Sequence, residues 1–512
     1  MYARANAVAI VGVNGHPVAV EAHVGRGLPA LHLTGLPGTA VQDSRERVRP
    51  AVENSGLEWP LRRVTVNLSP ADLRKEGPGF DLPIAIAVLA ATSQVPKERL
   101  HSYALAGELS LRGSLLPTPG VLAVAGASAL AGMAGVVVPE ANAAEAALVD
   151  GLDVVGAPSL ARVVEFFKGA WFAPPQARAT APASAEPGLD LGEVRGQAEA
   201  RRALEVAAAG GHNVLMVGPP GAGKTMLARR LPTILPAMAR EEAIEVTRLH
   251  SVAGLVPPGG GLVTTRPFRA PHHSASAAGL LGGGSGRIRP GEVALAHHGV
   301  LFLDEVNEFR RDVLEGLRQP LEDGRVVVVR ASGAVAFPAG FTLVAAANPC
   351  PCGFEGDIRK RCDCLPYRLQ AHRQRLSGPL IDRIDIRLRV PRLTRSELLG
   401  SSNPEPSATV RERVEEARER QRRRFDGLSP RCNSEMTGAM ARREAVLTPK
   451  AEAELARAMD RYNLTGRGFD RALKVARTIA DLDGDARVDA PHLLEALSFR
   501  GSLDRPEDAG AA

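Results

Sequence analysis

The chain has 512 residues, 45% of them hydrophobic, and a formal net charge of +6 at pH 7. This length allows several domains with sizeable cores, and the mild positive charge permits nucleic acid as a partner without arguing strongly for it. No apolar run reaches ~18 residues, and Asn, Gly, His and Pro interrupt the N-terminus, which disfavours a membrane span or a signal peptide. We therefore predict a cytoplasmic protein with no membrane partner.

The composition changes along the chain and predicts an α/β multidomain protein. An N-terminal domain over residues 1–172 is followed by a linker over 173–188 that is rich in Pro, Ala and Ser. Strand and helix patterns alternate over 189–392, which indicates an α/β core with a parallel sheet. Residues 393–500 have long Arg- and Glu-rich helical patterns typical of a helical lid domain, and residues 501–512 form a tail. The main predicted strands cover 214–217, 300–304 and 341–347, and the main C-terminal helices cover 408–425, 450–462, 471–482 and 490–498.

Two segments of the first domain carry a resemblance to a protease. RKEGPGFD at 74–81 and GELSLRGSLLPTPGVLAV at 107–124 lie within residues 64–140, which resemble the α+β proteolytic domain of Lon. The resemblance implies that Gly79 stands in place of the nucleophilic serine and Leu122 in place of its lysine, so the domain is expected to be catalytically dead. Ser69 and Lys75 are weak remaining protease candidates. Assembly or DNA contact is the expected role.

The run NVLMVGPPGAGKTML at 213–227 joins an apolar strand to a helix through the pattern G-x-x-x-x-G-K-[ST]. Backbone N–H groups of such a loop turn toward phosphates, Lys224 can reach the β- and γ-phosphates, and the Thr225 hydroxyl can bind Mg²⁺. The expected ligands are therefore ATP and Mg²⁺. The predicted binding residues are Gly218, Pro219, Pro220, Gly221, Ala222, Gly223, Lys224 and Thr225.

An insertion predicted over residues 255–299 is rich in arginine and histidine. Arg266, Arg269, Arg287 and Arg289 are suited to phosphate contact. The paired histidines are expected to pack and form hydrogen bonds rather than bind a metal, because no Cys or carboxylate cluster accompanies them at fixed spacing. These histidines are His272, His273, His297 and His298.

The motif VLFLDEV at 300–306 predicts a buried strand that ends in two acids. Asp304 suits a Mg²⁺ ligand, and Glu305 suits a base that orients the attacking water. Downstream, RVVVVRASGAVAF at 325–337 predicts a hairpin that carries Arg325 and Arg330. The hairpin could contact nucleic acid phosphates, and an edge hairpin guarded by charge against aggregation is the alternative.

Asn348 follows the apolar strand FTLVAAA, at the end of a strand where ligands bind in open α/β sheets. We expect it to sense the γ-phosphate or position water, although a plain turn residue is the alternative. A cysteine cluster begins two residues later. Cys350, Cys352, Cys362 and Cys364 could close a tetrahedral Zn²⁺ site, with His372 as a substitute ligand, or they could remain reduced and unligated.

Two arginines further along suit contacts with nucleotide phosphates. Arg383 lies in a short polar turn of SGPLIDRIDIRL and could reach a neighbouring subunit's phosphate as an arginine finger. The alternative is a surface arginine paired with Asp382 or Asp385. Arg467 lies just before a predicted helix, where its guanidinium could fold over the nucleotide. Arg471 and Arg477 are the alternatives for that role.

The phosphate loop, LFLDE, Asn348, GPLIDRID and the Arg467 helix together resemble the AAA+ ATPases of the magnesium-chelatase-like branch. The segment RPFRAPHHSASAAGLLGGGSGRIRPGEVALAHHGVLFLDE at 266–305 is similar to the insertion typical of the ComM family of competence proteins. That resemblance covers nearly the whole chain. It implies a homo-oligomer, a hexameric ring that hydrolyses ATP to drive branch migration of DNA, single-stranded or branched, when incoming strands recombine in natural transformation.

Two other functions remain open at this stage. One is the ATPase subunit of magnesium chelatase, although the Lon-like domain and the cysteine cluster are features expected of the ComM family instead. The other is a protein-remodelling ATPase. Pore loops for that task usually carry an exposed aromatic residue, and the tip of the predicted hairpin has none.

Overall fold

The computed structural model describes residues 1–174, 188–284, 287–330, 333–357, 359–376, 378–395, 397, 404–462 and 464–501. Most of the predicted linker and the tail beyond residue 501 therefore lie outside the described residues. In the described part of the chain, no helix is long and apolar enough to cross a membrane.

A seven-stranded mixed sheet forms the centre of the N-terminal region. Tyr2–Val11 pairs antiparallel with Asn14–Val24, which in turn pairs antiparallel with Arg63–Ser69. Parallel strands extend the sheet on the other side, beyond Tyr2–Val11. Apolar side chains of the sheet are buried on both faces. The strands lie in the order Ala30–Thr34, Arg63–Ser69, Asn14–Val24, Tyr2–Val11, Tyr103–Leu105, Gly135–Pro139 and Asp153–Ala157.

Helices cover this sheet on its two faces. Asp81–Ala91 is buried along its whole length because every residue after its first is apolar, and it packs against the first two strands. Val121–Leu130 packs against the opposite face, where Val8, Val124 and Val136 share a core. The remaining helices are Thr39–Gln42, Ser44–Asn54, Ala143–Ala146 and Leu160–Phe167. The short strands Glu108–Leu109 and Leu115–Leu116 pair antiparallel across the loop 110–114.

The second region is built on a five-stranded sheet whose strands are all parallel. Three strands read as short apolar runs because they are buried on both faces, as parallel strands usually are. The parallel sheet that the sequence predicted is therefore confirmed. Its strands lie in the order Phe268–Arg269, Val300–Leu303, Thr342–Ala347, Val214–Val217 and Ile386–Arg389.

The first strand of that order corrects the predicted insertion. Phe268–Arg269 belongs to the stretch 255–299, yet it pairs in parallel with Val300–Leu301 and forms an edge of the central sheet. The stretch is thus partly an element of the core. The helices of this region are Ala198–Gly210, Lys224–Ile234, Arg240–Ala253, Ala277–Leu281, Glu292–Leu295, Arg311–Gly316, Arg318–Asp323, Pro366–Arg373 and Gly378–Ile381, and Gly282–Gly283 pairs with Arg289–Pro290.

The predicted hairpin is confirmed, with strands Arg325–Arg330 and Gly333–Pro338 in antiparallel register. Alternate residues of the two strands, including Val328 and Val335, are buried in one core with the sheet of the second region. The turn at Gly12 in the N-terminal region lies against this hairpin, since a Cβ atom added there would come within 2.6 Å of Cγ1 of Val335. The middle of the hairpin, at the Val328–Val335 pair, is therefore packed between two regions of the chain.

The C-terminal part is helical, with helices Ser407–Arg424, Gly438–Glu444, Pro449–Tyr462, Gly466–Asp483 and Ala490–Gly501. Ser407–Arg424 packs against Ala198–Gly210 and Lys224–Ile234, and Ala490–Gly501 packs against the edge strand Ile386–Arg389. Apolar residues of these helices and of the central sheet form a single core. The helical part thus rests on one side of the α/β region.

Candidate nucleotide site

The phosphate loop turns between the strand Val214–Val217 and the helix Lys224–Ile234. Gly221 and Gly223 have left-handed φ angles of +77° and +93°, which glycine adopts at little cost. Gly218 is required for another reason, because a Cβ atom there would lie 2.1 Å from the carbonyl oxygen of Val390. Larger residues at these three glycine positions would therefore strain the loop or clash with its surroundings.

The Lys224 ammonium lies inside this loop and is largely buried. Its Nζ atom donates to the carbonyl oxygens of Gly218 and Pro219, at 2.6 and 3.1 Å, and to Oδ1 of Asn348 at 3.2 Å. Burial lowers the pKa of Lys224, and the carboxylates of Asp304 and Glu305 oppose that shift. The loop thus holds one desolvated cation where phosphate oxygens are expected.

Asp304 and Thr225 provide a pair of oxygen ligands at the same edge of the sheet. The Thr225 hydroxyl donates to Oδ2 of Asp304 over 2.7 Å, and the Glu305 N–H donates to Oδ1 of Asp304 over 2.9 Å. The observed strand ends at Leu303, so the two acids lie just beyond it. A hydroxyl beside a carboxylate fits the preference of Mg²⁺ for oxygen, so these residues suit the predicted ion.

Asn348 lies between the two motifs because its strand, Thr342–Ala347, separates the strands that carry them. The carbonyl oxygen of Asn348 is 3.0 Å from Nε2 of the buried His372, which also contacts the Asn307 amide at 2.8 Å. His372 therefore supports Asn348 from behind. The prediction that His372 could replace one of the cysteines as a Zn²⁺ ligand was wrong, because His372 does not lie in the group that the four thiols form.

His273 faces Glu305, a contact that the sequence did not reveal. Its Nδ1 atom lies 3.7 Å from Oε2 of Glu305, and its ring packs edge-on against Phe309. Glu305 itself has a left-handed φ of +49°, which turns it away from the line of the strand. The only sequence feature that pointed to this contact was the His272–His273 pair in the insertion. Glu305 lies 32 positions after His273 in the sequence.

Arg383 is buried and forms an ion pair with Glu322. The alternative prediction, a surface arginine paired with Asp382 or Asp385, was wrong because Arg383 is buried and its guanidinium pairs with Glu322 of the helix Arg318–Asp323. Asp385 instead accepts hydrogen bonds from His212 and the Asn213 N–H. The finger role of Arg383 stays a prediction.

Arg467 belongs to the same basic cluster as Arg383. Burial lowers the pKa of Arg383, and the charges of Arg318, Arg467 and Arg471 add to that shift. The helix begins at Gly466 with Thr465 as its cap, so Arg467 is exposed in the first turn and not before it as expected. Arg471 lies 3.7 Å from Asp385.

Arg477 is an unsuitable alternative for the lid arginine. It is fully buried, and it donates to Oδ1 of Asp481 at 3.0 Å and to the carbonyl oxygen of Ala486 at 2.9 Å. This guanidinium ties the end of its helix to the following turn. It is committed to the fold of the helical part.

The four clustered cysteines come together as the spacing predicted. Their Sγ atoms lie within 4.8 Å of one another, and all four are free thiols. Thiolates at this separation are the donors that Zn²⁺ takes in structural sites. Cys432 lies elsewhere, buried beside Ser434.

A second polar group brings His297 and His298 to Glu245. Their Nε2 atoms lie 3.0 and 2.8 Å from Oε2 of Glu245. The Gly340 N–H donates to Nδ1 of His297, which leaves the proton of the neutral ring on Nε2 and that nitrogen unavailable to a metal. The expectation that these histidines form hydrogen bonds therefore fits the geometry, although a carboxylate does accompany them.

The arginines of the insertion differ in their environments. Arg266 donates to the carbonyl oxygens of Pro236 and His298 and pairs with Glu242, while Arg269 forms two hydrogen bonds with Glu292. Burial lowers the pKa of Arg287 to about 10. Arg289 is exposed. Arg266 and Arg269 thus stabilise the fold, and Arg289 is the member of the four that faces solvent.

Among the described residues, no hydrogen bond joins the side chains of Ser69 and Lys75, the two protease candidates. Lys75 is fully buried, and its ammonium donates to the carbonyl oxygen of Pro70. Burial lowers its pKa. Leu122, the position implied for the protease lysine, is buried in the core of its helix, and its N–H donates to Glu145 over 2.9 Å.

The phosphate loop, the Asp304–Glu305 pair and Asn348 meet at the carboxyl edge of a parallel sheet, and a helical part packs beside it. These features define an ATPase of the AAA+ class. Sequence profiles of the magnesium chelatase subunit ChlI match residues 190–398 and 20–142, and the profile of the C-terminal part of that subunit matches 404–500. The chain belongs to the magnesium-chelatase-like AAA+ family that includes the ComM and YifB proteins.

Full-length relatives support this assignment. The chain is 46% identical over 497 residues to an uncharacterized protein of Mycobacterium tuberculosis, covering 97% of this chain and 98% of that protein. It is 42% identical to YifB of Salmonella typhimurium over 504 residues, covering 97% and 96%. It is also 42% identical to competence protein ComM of Haemophilus influenzae over 510 residues, covering 98% and 97%.

A shorter similarity concerns Lon. The chain is 28% identical over 144 residues to the Lon protease of Trichlorobacter lovleyi, which covers 27% of this chain and 17% of that protein. This similarity agrees in part with the predicted Lon-like region.

Proposed function

We propose that the protein is an ATP-driven motor that moves branched DNA during recombination of incoming strands. The similarity to competence protein ComM along nearly the whole chain carries this proposal, because it extends over all three regions and not only over the ATP site. The nucleotide site supplies the ATPase chemistry. Basic side chains on the hairpin and beside it supply the surface for DNA.

Each residue of the site has a distinct task in hydrolysis. Lys224 would bind the β- and γ-phosphates, and Thr225 and Asp304 would hold a Mg²⁺ ion, which would neutralise charge on the phosphates. Glu305 orients the attacking water and accepts its proton. Asn348 positions the water or the γ-phosphate from the neighbouring strand, at the place where it now accepts the Lys224 hydrogen bond.

The basic cluster around Arg383 suits contact with a second subunit. Arg383 and Arg467 lie close enough for their charges to interact, although Arg467 is exposed while Arg383 is buried and paired with Glu322. We assign Arg383 to the nucleotide of the adjacent protomer in a ring, and Arg467, which the sequence predicted to fold over the nucleotide, to that same nucleotide. The resemblance implies that this ring is a hexamer.

Three arginines form the proposed DNA surface. Arg325 and Arg330 are exposed at the two ends of one hairpin strand, and Arg289 is exposed in the neighbouring insertion. The hairpin and the insertion are adjacent, since a Cβ atom at Gly283 would lie 2.9 Å from Nη2 of Arg330. Contacts from these arginines to phosphates would be independent of sequence, as a translocating motor requires.

ATP-dependent strand exchange on labelled three-stranded and four-way DNA junctions tests this function. We expect the wild-type protein to move both junctions and the Lys224→Ala protein to move neither, because it lacks the phosphate-binding ammonium. A wild-type ATPase that is indifferent to DNA and moves no junction would refute the proposal.

The magnesium-chelatase role is the second candidate, because all three matching profiles describe that chelatase subunit. It predicts ATP-dependent Mg²⁺ insertion into a porphyrin when partner subunits are supplied, and no response to DNA junctions. A protein-remodelling role predicts ATPase stimulation by unfolded polypeptide. The junction assay and these two measurements separate the three functions.

A further inference from the structure

We propose that the four clustered cysteines bind one structural Zn²⁺, and that this metal site holds the phosphate loop in its nucleotide-binding conformation. We call residues 350–364 the cysteine loop. It starts two residues after Asn348 and ends before the helix Pro366–Arg373. The proposal depends on the nucleotide site but not on DNA.

Three of the four thiols are already separated by distances close to those in a tetrahedral zinc site. Sγ of Cys350 lies 3.3 Å from Sγ of Cys352 and 3.6 Å from Sγ of Cys362, and Cys352 and Cys362 are 3.6 Å apart. Four sulfurs bound to zinc at ~2.3 Å lie about 3.8 Å from one another. Only small side-chain movements separate this arrangement from a bound ion, and the fourth thiol, Cys364, is in the same group.

The surroundings of the thiols suit a charged metal centre. The Glu355 N–H donates to Sγ of Cys350 over 3.3 Å, a contact that stabilises thiolate ligands. Zn²⁺ with four thiolates carries a net charge of about −2. Arg359, Lys360 and Arg361 precede Cys362 directly and offset that charge.

The cysteine loop packs directly on the phosphate loop. Gly353 has a φ of +84°, and a Cβ atom there would lie 2.7 Å from Cδ of Pro220. Any other residue at 353 would push the two loops apart. Gly353 lies next to the ligand Cys352, so the metal fixes the backbone that touches Pro220.

An ion pair makes a second connection between the two loops. Oδ2 of Asp357 lies 3.5 Å from Nη2 of Arg392, and the same nitrogen donates to the carbonyl oxygen of Pro220 over 3.2 Å. Asp357 is itself fixed by the N–H groups of Arg359 and Lys360. The phosphate loop is therefore supported at Pro220 from two positions of the cysteine loop.

This support has a consequence for nucleotide affinity. A loop with glycines at 218, 221 and 223 loses much conformational freedom when it closes on phosphates. Support at Pro220 removes part of that freedom before binding. Loss of the metal should weaken nucleotide binding about two- to tenfold, because one or two groups of the site would then have to become ordered when the nucleotide binds.

Metal content is the first measurement. We expect elemental analysis of the purified full-length protein to give about one zinc per chain, and the Cys352→Ser/Cys364→Ser protein to give almost none. The Cys432→Ser protein is the matched control and should retain zinc. Folded wild-type protein from zinc-supplemented cells that holds no metal would overturn the proposal.

Affinity for a fluorescent ADP analogue at saturating Mg²⁺ is the second measurement. The same wild-type protein is compared before zinc removal by a zinc-selective chelator under reducing conditions, after removal, and after Zn²⁺ is restored. We expect weaker binding in the zinc-free protein and recovery with Zn²⁺. Circular dichroism verifies that the zinc-free protein stays folded.

Unchanged ADP affinity in folded, zinc-free protein would refute the link to the phosphate loop. Wild-type protein that holds zinc but binds no ADP would instead refute the nucleotide site, and with it both the link and the proposed function. The two failures are thus distinguishable.

The connection through Arg392 provides an independent test. The Arg392→Ala protein should retain its zinc and bind ADP more weakly, with faster amide hydrogen exchange in the phosphate loop. Arg368→Ala, an exposed arginine of the helix that follows the cysteine loop, is the matched control and should bind ADP like wild type. Equal exchange and equal affinity in the two variants would contradict the connection at Pro220.

Discussion

The ammonium of Lys224 and the side-chain oxygen of Asn348 lie 3.2 Å apart, which joins the phosphate loop to the end of a different strand. The register of the sheet brings them together, because Val217, at the end of the loop's strand, pairs with Ala347. A cation and an amide from two strands thus face the same phosphate position.

Replacing Asn348 with Ala should reduce ATP turnover about 100-fold, the usual cost of removing one group that positions charge in a transition state. ADP affinity should change little, because Lys224 and the loop backbone remain. Turnover is measured by phosphate release and affinity by fluorescence titration. Equal loss of turnover and of ADP affinity would show that Asn348 only maintains the loop.

Glu305→Gln should bind ATP but hydrolyse it at least about 100-fold more slowly, because the amide cannot accept the proton of the attacking water. His273→Ala should also slow hydrolysis, by a smaller factor, since it removes the ring that faces Glu305 at 3.7 Å. Single-turnover hydrolysis measures both rates. His272→Ala, the neighbouring histidine, is the matched control, and a rate for His273→Ala equal to that control would exclude a role for the contact.

The sequence predicted the parts of the site that are local in the chain. Gly221, Lys224 and Thr225 belong to one strand–loop–helix unit, and the acids at 304 and 305 follow one apolar strand, so spacing alone identifies them. The contacts of His273 with Glu305, Arg383 with Glu322, and Gly353 with Pro220 join segments that are distant in sequence. Such contacts depend on how helices pack over the sheet, which periodicity does not encode.

Folding stability should fall as the pH drops from about 6.5 to 4, because of the cluster at His298. Burial lowers the pKa of His298 to about 4, and the hydrogen bonds from His297 and His298 lower the pKa of Glu245 to about 2. An unfolded chain, with a histidine pKa of about 6.5, binds more protons in this window than the folded chain. The contribution of His298 to folding stability is therefore complete above about pH 6.5 and lost toward about pH 4. Glu245 lowers the stability further at pH values below its pKa in the unfolded chain, about 4.3.

The His298→Asn protein tests this pH dependence. Asparagine tolerates the left-handed φ of +56° at this position but does not titrate. Urea unfolding at pH 7.5 and pH 5 should show a smaller difference in stability for this variant than for wild type. Arg112→Ala, an exposed change in the N-terminal region, should retain the wild-type difference. A His298→Asn curve parallel to wild type would contradict the assignment.

Mixed rings test whether Arg383 acts on a neighbouring subunit. Arg383→Ala protein should bind ADP normally and lose most ATPase activity, since an arginine finger contributes on the order of 10³-fold. Lys224→Ala protein lacks its own phosphate contact but retains Arg383. Mixing the two inactive proteins should restore part of the activity, because an intact phosphate loop then meets an intact Arg383 across some interfaces.

The mixing experiment also has a matched control. Lys224→Ala mixed with the double variant Lys224→Ala/Arg383→Ala contains no complete site and should stay inactive. Activity that does not recover in the first mixture, while subunits exchange, would place Arg383 in its own protomer's site or in a structural role with Glu322. Arg467→Ala should behave like Arg383→Ala in the same test if both residues belong to one interface.

Charge on the hairpin should determine affinity for DNA without affecting the ATP site. Arg325→Ala/Arg330→Ala should weaken binding of single-stranded DNA and reduce the slope of log affinity against log salt by about 0.7 for each lost phosphate contact. The buried face of the hairpin is unchanged, so Val328 and Val335 keep it in place and ATPase activity without DNA should match wild type. Fluorescence anisotropy across a salt series measures the affinity.

Arg112→Ala, an exposed arginine far along the chain from the hairpin, is the control for removal of a surface charge. An unchanged salt slope in the double variant would show that DNA binds elsewhere and would favour the charge-guarded edge hairpin.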